Sequence, residues 1–211
     1  FYRGDGNNTS IYTKDVSGTD DTAQYNTAYG IDALDAITTG DANTAIGWGV
    51  MTSNTTGGQN VSVGQNSMSA NTTGSHNIAV GVTALAVNTT GARNMAIGYQ
   101  AYQNSDTEND NIAIGFQALT TNTAGGTKLL AIGNYALDAA TSGDKNIGVG
   151  YAALGAVTSG SENVAIGDNA LSLVTTTNGN TAVGAQAGEA VVGASNTAVG
   201  QYALKAATTT N

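Results

Sequence analysis

The sequence predicts an all-β protein, a parallel β-solenoid or β-roll of about eleven 17-residue coils. A phrase of the form Asn-x-Ala-Ile/Val-Gly-x-x-Ala-Leu returns eleven times, and its glycine recurs at a step of 17 residues eight times, with one step of 18 and one of 16. A period this strict requires equivalent side chains to stack above one another at a fixed spacing. The core of a globular domain does not require such regular spacing. We call these residues the anchor glycines: Gly30, Gly47, Gly64, Gly81, Gly98, Gly115, Gly133, Gly150, Gly167, Gly184 and Gly200.

The chain divides into a short leading segment and the repeat array. Residues 1–22 lie outside the repeat and are interpreted as an N-terminal cap or connector, with one alternating stretch, residues 10–13, that has the pattern of a strand. Residues 23–211 are predicted to form the solenoid.

One strand of each coil is predicted just before the anchor glycine. The position preceding the glycine is β-branched in ten of eleven repeats, as at Ile46, Val63, Val80 and Ile97, and such residues favour strands. The position before that is always small, usually alanine. Because successive strand residues point to opposite faces, the wide and narrow columns are expected on opposite sides of one sheet.

A second strand is predicted after the anchor glycine, carrying a leucine-rich column four places on that includes Leu34 and Leu85. Each coil then turns through Thr-Thr-Gly, as at Thr55-Thr56-Gly57, where glycine is expected to supply a positive φ.

An asparagine stands four places before almost every anchor glycine, including Asn43, Asn60, Asn77 and Asn94. Stacked asparagines can hydrogen-bond amide to amide, which satisfies buried polar groups and holds coils in register. We interpret this column as structural.

The predicted coil is flat and carries apolar residues on both sheet faces. The apolar residues of one face can pack inside the coil, whereas those of the other face would remain exposed to solvent. Self-association through a symmetric interface covers it economically, so a side-by-side homotrimer is the predicted assembly.

Composition excludes several functions. The net charge is -9 with only six Lys and Arg residues, so the sequence predicts no nucleic-acid binding. There is no cysteine and a single histidine, and no set of groups converges on an active site, so neither an enzyme nor a cofactor is predicted. No apolar run is long enough to cross a bilayer, and no membrane span is predicted.

The phrases Asn43-Thr44-Ala45-Ile46-Gly47 and Asn94-Met95-Ala96-Ile97-Gly98, with Asn-Thr-Thr-Gly connectors at Asn54, Asn71 and Asn88, resemble the repeats of bacteriophage tail-fibre proteins. They are also similar to the Ala-Ile-Gly repeats in the heads of trimeric autotransporter adhesins. That resemblance implies a left-handed parallel β-roll with three chains packed side by side. It carries over no binding residue.

Two groups of side chains are candidates for ligand contact. Asp106, Glu108 and Asp110 alternate in a turn and could present carboxylate oxygens to Ca²⁺, but the spacing lacks the glycine and distal glutamate of a calcium loop, so a solvated acidic turn is the favoured interpretation. A broken aromatic stripe follows the anchor glycines, and its rings could contact a cell-surface glycan or simply cover a sheet edge or subunit seam. Its members are Trp48, Tyr99, Phe116 and Tyr151, with Tyr135 and Tyr202 one place further on.

Asn8, Asn54, Asn71 and Asn88 also lie in Asn-x-Ser/Thr sequons, which matter only where extracellular asparagines are glycosylated.

The sequence therefore predicts a structural shaft or head segment of an extracellular fibre, in a virion tail fibre or at a cell surface, that supports host attachment alongside other fibre subunits. The alternatives are a bacterial trimeric adhesin and a monomeric solenoid that polymerises end to end into a filament.

Overall fold

The computed structural model of the protein describes residues 2–3, 11–12, 22–122 and 125–205. The chain divides into two compact units, Phe1–Asn109 and Asp110–Asn211. Throughout the described residues the regular elements are β-strands, and none of them is a helix. The predicted all-β class is confirmed.

The strands are short and occur once per repeat. The first unit contains β1 (Tyr2–Arg3), β2 (Ile11–Tyr12), β3 (Thr27–Tyr29), β4 (Thr44–Ile46), β5 (Val61–Val63), β6 (Ile78–Val80) and β7 (Met95–Ile97). The second contains β8 (Ile112–Ile114), β9 (Leu130–Ile132), β10 (Ile147–Val149), β11 (Val164–Ile166), β12 (Thr181–Val183) and β13 (Thr197–Val199).

Neighbouring strands pair in the register that the period predicts. After the antiparallel pair β1 and β2, the strands β2 to β7 pair in parallel with their neighbours in chain order, and within the second unit the strands β8 to β13 do the same. Ile46 lies opposite Val63, and Val63 lies opposite Val80. Residues one period apart are therefore direct neighbours, which confirms the parallel β-solenoid.

The two faces of each strand differ in burial as predicted. The small middle residue of every three-residue strand points inward, and Ala45, Ala79 and Ala96 are fully buried. The first and third residues point outward and are half-buried or exposed. The interior is filled from the other side of the coil by the leucine-rich column, including Leu34 and Leu85, which are also fully buried.

The predicted second strand is wrong, because the segment after each anchor glycine is a run of turns. Its second and fourth residues have positive φ, as in Asp32 (φ 59) and Leu34 (φ 53), whereas an extended strand needs negative φ. Stacking continues all the same, since the Leu34 N–H donates to the carbonyl of Val50 in the next coil at 3.0 Å.

Glycines are required where one coil closely approaches the next. At the anchor position, Gly81 has φ +144, and an added Cβ would lie 2.2 Å from the carbonyl oxygen of Gly98. At the Thr-Thr-Gly turn, the expected positive φ is wrong, because Gly57 is not among the residues with positive φ. An added Cβ there would lie 2.4 Å from the oxygen of Gly74, so close approach between coils explains the turn glycine.

Candidate binding surface

The asparagine column forms a hydrogen-bonded ladder inside the coils. Asn60 is fully buried, and both its backbone N–H and its Nδ2 donate to Oδ1 of Asn43, at 3.0 and 3.1 Å. Its Nδ2 also donates to the carbonyl of the turn residue Gly74 at 2.9 Å. Asn77 and Asn94 continue the column, each donating its N–H to the preceding Oδ1 at 2.9 Å. These amides are thus committed to the coil interior and face no ligand.

A second asparagine ladder occupies the position seven residues after the anchor glycine. Asn54, Asn71 and Asn88 are fully buried, and Nδ2 of Asn71 and of Asn88 each donate to the preceding Oδ1 at 2.8 Å. These are the asparagines of three sequons, and their burial leaves no amide for a glycan. The sequon at Asn8 lies outside the described residues.

The acidic turn uses two of its carboxylates within the first unit. Glu108 is nearly fully buried, and its Oε2 accepts the backbone N–H groups of Asp106 at 2.9 Å and Thr107 at 3.1 Å. Oδ1 of Asp106 accepts the hydroxyl of Thr89 at 2.5 Å. Asp110 begins the second unit and has a positive φ of 62. Within the described ranges, no group of three His, Cys, Asp or Glu side chains could hold a metal ion.

The aromatic stripe is exposed at all four predicted positions. Trp48 and Tyr99 lie in the first unit, and Phe116 and Tyr151 lie in the second, with 38 to 51% of each residue accessible to solvent. In the second unit Tyr135 brings two of them together. Its ring meets the rings of Phe116 and Tyr151 edge to face, at centroid distances of 5.4 and 5.8 Å. Such contacts are a favourable arrangement of aromatic rings, and they form a continuous cluster at this surface.

An open groove of about 490 Å³ borders this aromatic cluster. It crosses the coils that contain β9 to β12, and its floor is made by small residues of the β10 coil. The side chains that carry chemistry at its walls are Tyr135, Asp138, Tyr151, Asn169, Ser172 and Glu189.

Two carboxylates line the groove, and one of them forms an ion pair. Partial burial raises the pKa of Asp138 above its usual value, and the N–H groups of Asp138 and Ala139 oppose that rise. Glu189 forms an ion pair with Lys205 at 3.5 Å, and Nζ of Lys205 also donates to Gln186 at 2.6 Å. The groove therefore combines apolar ring faces with hydrogen-bonding side chains that are mostly acceptors.

The sequence interpretation included Tyr135 and Tyr151 but missed the polar wall. Asp138, Ser172 and Glu189 all stand five residues after an anchor glycine, and Gly155 stands at the same position in the coil between Asp138 and Ser172. Alignment of equivalent positions across the repeats reveals these polar residues and the glycine between them. The order of residues along the chain does not show that they are neighbours, because they are separated by one period or more.

The outward face of the strands is an aliphatic surface, which we call the strand face. It includes Ile46, Val80 and Ile97, which are 36 to 40% exposed, and Val63, which is half-buried. Contiguous apolar surface of this kind marks an interaction site more often than isolated exposed residues do.

No protein-family model, curated protein or solved structure matches this chain. Where the structure describes the chain, it contains no helix of the length and hydropathy that crossing a membrane requires.

Proposed function

We propose that this chain is a structural shaft or head segment of an extracellular fibre, in a virion tail fibre or at a cell surface, and that it supports host attachment. The observation that carries the proposal is the strand register. Ile46, Val63 and Val80 pair in sequence, so backbone hydrogen bonds run from coil to coil along the stack. Such an array extends by addition of identical units, which suits a part whose task is to span distance.

The interior supports a mechanical role. Asn43, Asn60 and Asn77 connect successive coils through side-chain and backbone hydrogen bonds. A shift of one coil by a single residue against its neighbour would leave these buried amides without partners, at a cost of about 1 to 3 kcal/mol for each unsatisfied group. The ladder therefore favours one register over the alternatives.

The proposed assembly is a homotrimer in which the strand faces pack together. Ile46, Val80 and Ile97 repeat on that face at the spacing of the coils and remain partly exposed in a single chain. Three copies related by a rotation axis would bury the face without leaving an open apolar edge. The same side-by-side packing is what the resemblance to fibre and adhesin repeats implies.

Sedimentation equilibrium tests the assembly. We expect a single species of three times 20.9 kDa, about 63 kDa, over a range of protein concentrations. Val80→Lys combined with Ile97→Lys should give monomers, since three copies would bring buried like charges together. The matched control, Thr73→Lys with Thr90→Lys, changes exposed turn residues by the same charge and should stay trimeric.

A monomer at all concentrations would contradict the trimeric fibre. Species that lengthen with concentration would contradict it as well, and would favour the alternative of end-to-end polymerisation into a filament.

A further inference from the structure

The groove in the second unit exists because one coil carries small residues where its neighbours carry large ones. At the second and fifth positions after the anchor glycine, the β10 coil has Ala152 and Gly155. The β9 coil has Tyr135 and Asp138 at those positions. An added Cβ on Gly155 would lie 3.4 Å from Oδ1 of Asp138, so the gap opens directly beside that carboxylate. The result is a recess between two rows of larger side chains, with its floor one coil wide.

The recess has one aromatic wall. The rings of Tyr135 and Tyr151 stand at 80° to each other with their centroids 5.8 Å apart, an edge-to-face contact in which each ring supports the other. Tyr151 keeps about half of its surface exposed. A ring held in this way offers a flat apolar face at small entropic cost, because the side chain is already ordered.

The other lining residues supply hydrogen-bonding groups. Asn169 uses its amide Nδ2 on the carboxylate of Asp168, which leaves its carbonyl oxygen directed elsewhere as an acceptor. Ser172 adds a hydroxyl, and Asp138 adds a carboxylate whose raised pKa reflects partial desolvation. A ligand with one apolar face and several hydroxyl donors at its rim matches this arrangement.

We propose that this groove binds a neutral pyranose oligosaccharide. The C–H face of a pyranose would stack on Tyr151, and its hydroxyls would donate to Asp138, Asn169 and Ser172. Acidic sugars are disfavoured, because Asp138 repels them, the whole chain carries a net charge of -9, and Lys205 is occupied by Glu189 and Gln186. The inference deepens the attachment role proposed above and rests on it, since three copies in a fibre would present three such grooves to one surface.

Titration of the full chain with defined hexasaccharides tests the proposal. The neutral probes are maltohexaose, cellohexaose, mannohexaose and chitohexaose, and the acidic probe is hexagalacturonic acid, each followed by isothermal calorimetry. We expect at least one neutral probe to bind and the acidic probe to bind at least about tenfold more weakly. Tyr151→Ala should weaken the neutral probe about tenfold or more, by removal of the stacking face.

A variant whose groove is filled by larger side chains tests the proposal more sharply. Ala152→Gln with Gly155→Thr inserts residues that the array already uses at these positions, as Gln117 and Thr120, so the fold should tolerate them. We expect this variant to keep its melting temperature within a few degrees and to lose sugar binding. The matched control, Ala86→Thr, changes the equivalent position of a first-unit coil and should bind as the unchanged chain does.

The proposal is overturned if no neutral probe binds, if the acidic probe binds best, or if the filled variant binds as tightly as the unchanged chain. Its failure can be told apart from failure of the fibre assembly. A trimer that binds no sugar overturns the groove alone, whereas a monomer that binds sugar overturns the assembly alone.

Discussion

Gly184→Ala is expected to unfold the second unit or to lower its stability by about 4 kcal/mol or more, a loss that marks severe steric conflict. Gly184 has φ +134, and an added Cβ would lie 2.6 Å from both the carbonyl carbon and the oxygen of Gly200. Neither atom can move away without breaking the bond from the Gly200 N–H to Val183, which is 2.8 Å long. Urea denaturation followed by circular dichroism measures the loss.

Gly200→Ala is the matched control for this clash. Gly200 occupies the same repeat position with a similar positive φ of +116, but among the described residues no atom lies within 4 Å of its added Cβ. Its substitution should therefore cost only the backbone strain, about 1 to 3 kcal/mol. If the two variants lost equal amounts of unfolding free energy, backbone strain alone would explain the loss. The close approach of the coils would then contribute nothing to the need for glycine.

Asn60→Ala is expected to have the second largest effect, a loss of about 3 kcal/mol from three lost hydrogen bonds, one of which leaves a buried N–H without an acceptor. The substitution removes the acceptor of the Asn77 N–H and both donations from Nδ2, to Asn43 and Gly74. The Asn77 N–H is then left without its acceptor in a coil interior where Asn60 is fully buried, whereas Oδ1 of Asn43 keeps the backbone N–H of residue 60 and the Gly74 carbonyl keeps Nδ2 of Asn71. Thermal and urea denaturation give the change in the free energy of unfolding.

The neighbouring Gln59→Ala separates this effect from a general loss of side-chain volume. Gln59 is exposed and has φ 59, and alanine already occupies the equivalent position at Ala42 with φ 58. We expect its substitution to change stability by less than about 0.5 kcal/mol. If Asn60→Ala were as mild as Gln59→Ala, the buried ladder would have no part in holding the coils together.

The strand register could be predicted from the sequence because one rule governs it. Every coil repeats the same alternation, so Ile46, Val63 and Val80 can pair only if the chain advances one coil per period. The inward position of Ala45 follows from the same alternation. A periodic pattern determines which residues are neighbours whenever one face must be buried.

The backbone between the strands could not be predicted in the same way. The sequence pattern predicts a strand for the leucine column, but Leu34 and Leu85 adopt a positive φ that leucine rarely takes. The buried packing of their side chains outweighs the strain. Gly57 was assigned a positive φ, but it is glycine because the next coil lies too close for a Cβ. Hydrophobic pattern does not encode the sign of φ.

The candidate site was predicted only in part, for a related reason. The exposure of Trp48, Tyr99, Phe116 and Tyr151 follows from their position beside the anchor glycines. The groove instead depends on a departure from the repeat, at Gly155, and on its neighbours in adjacent coils. Deviations from a pattern carry function more readily than the pattern itself, since the repeated residues are occupied with structure.

Nuclear Overhauser cross-peaks between the methyl groups of buried methionine and leucine side chains test the stacking of the coils most directly. The chain has three methionines, and Met51 and Met68 lie one period apart in the same fully buried column, followed by Leu85. With adjacent coils about 4.8 Å apart, we expect strong methyl cross-peaks from Met68 to both Met51 and Leu85. The cross-peak between Met51 and Leu85, two coils apart, should be weak or missing. Absence of the cross-peak between Met51 and Met68 in the folded protein would contradict the solenoid.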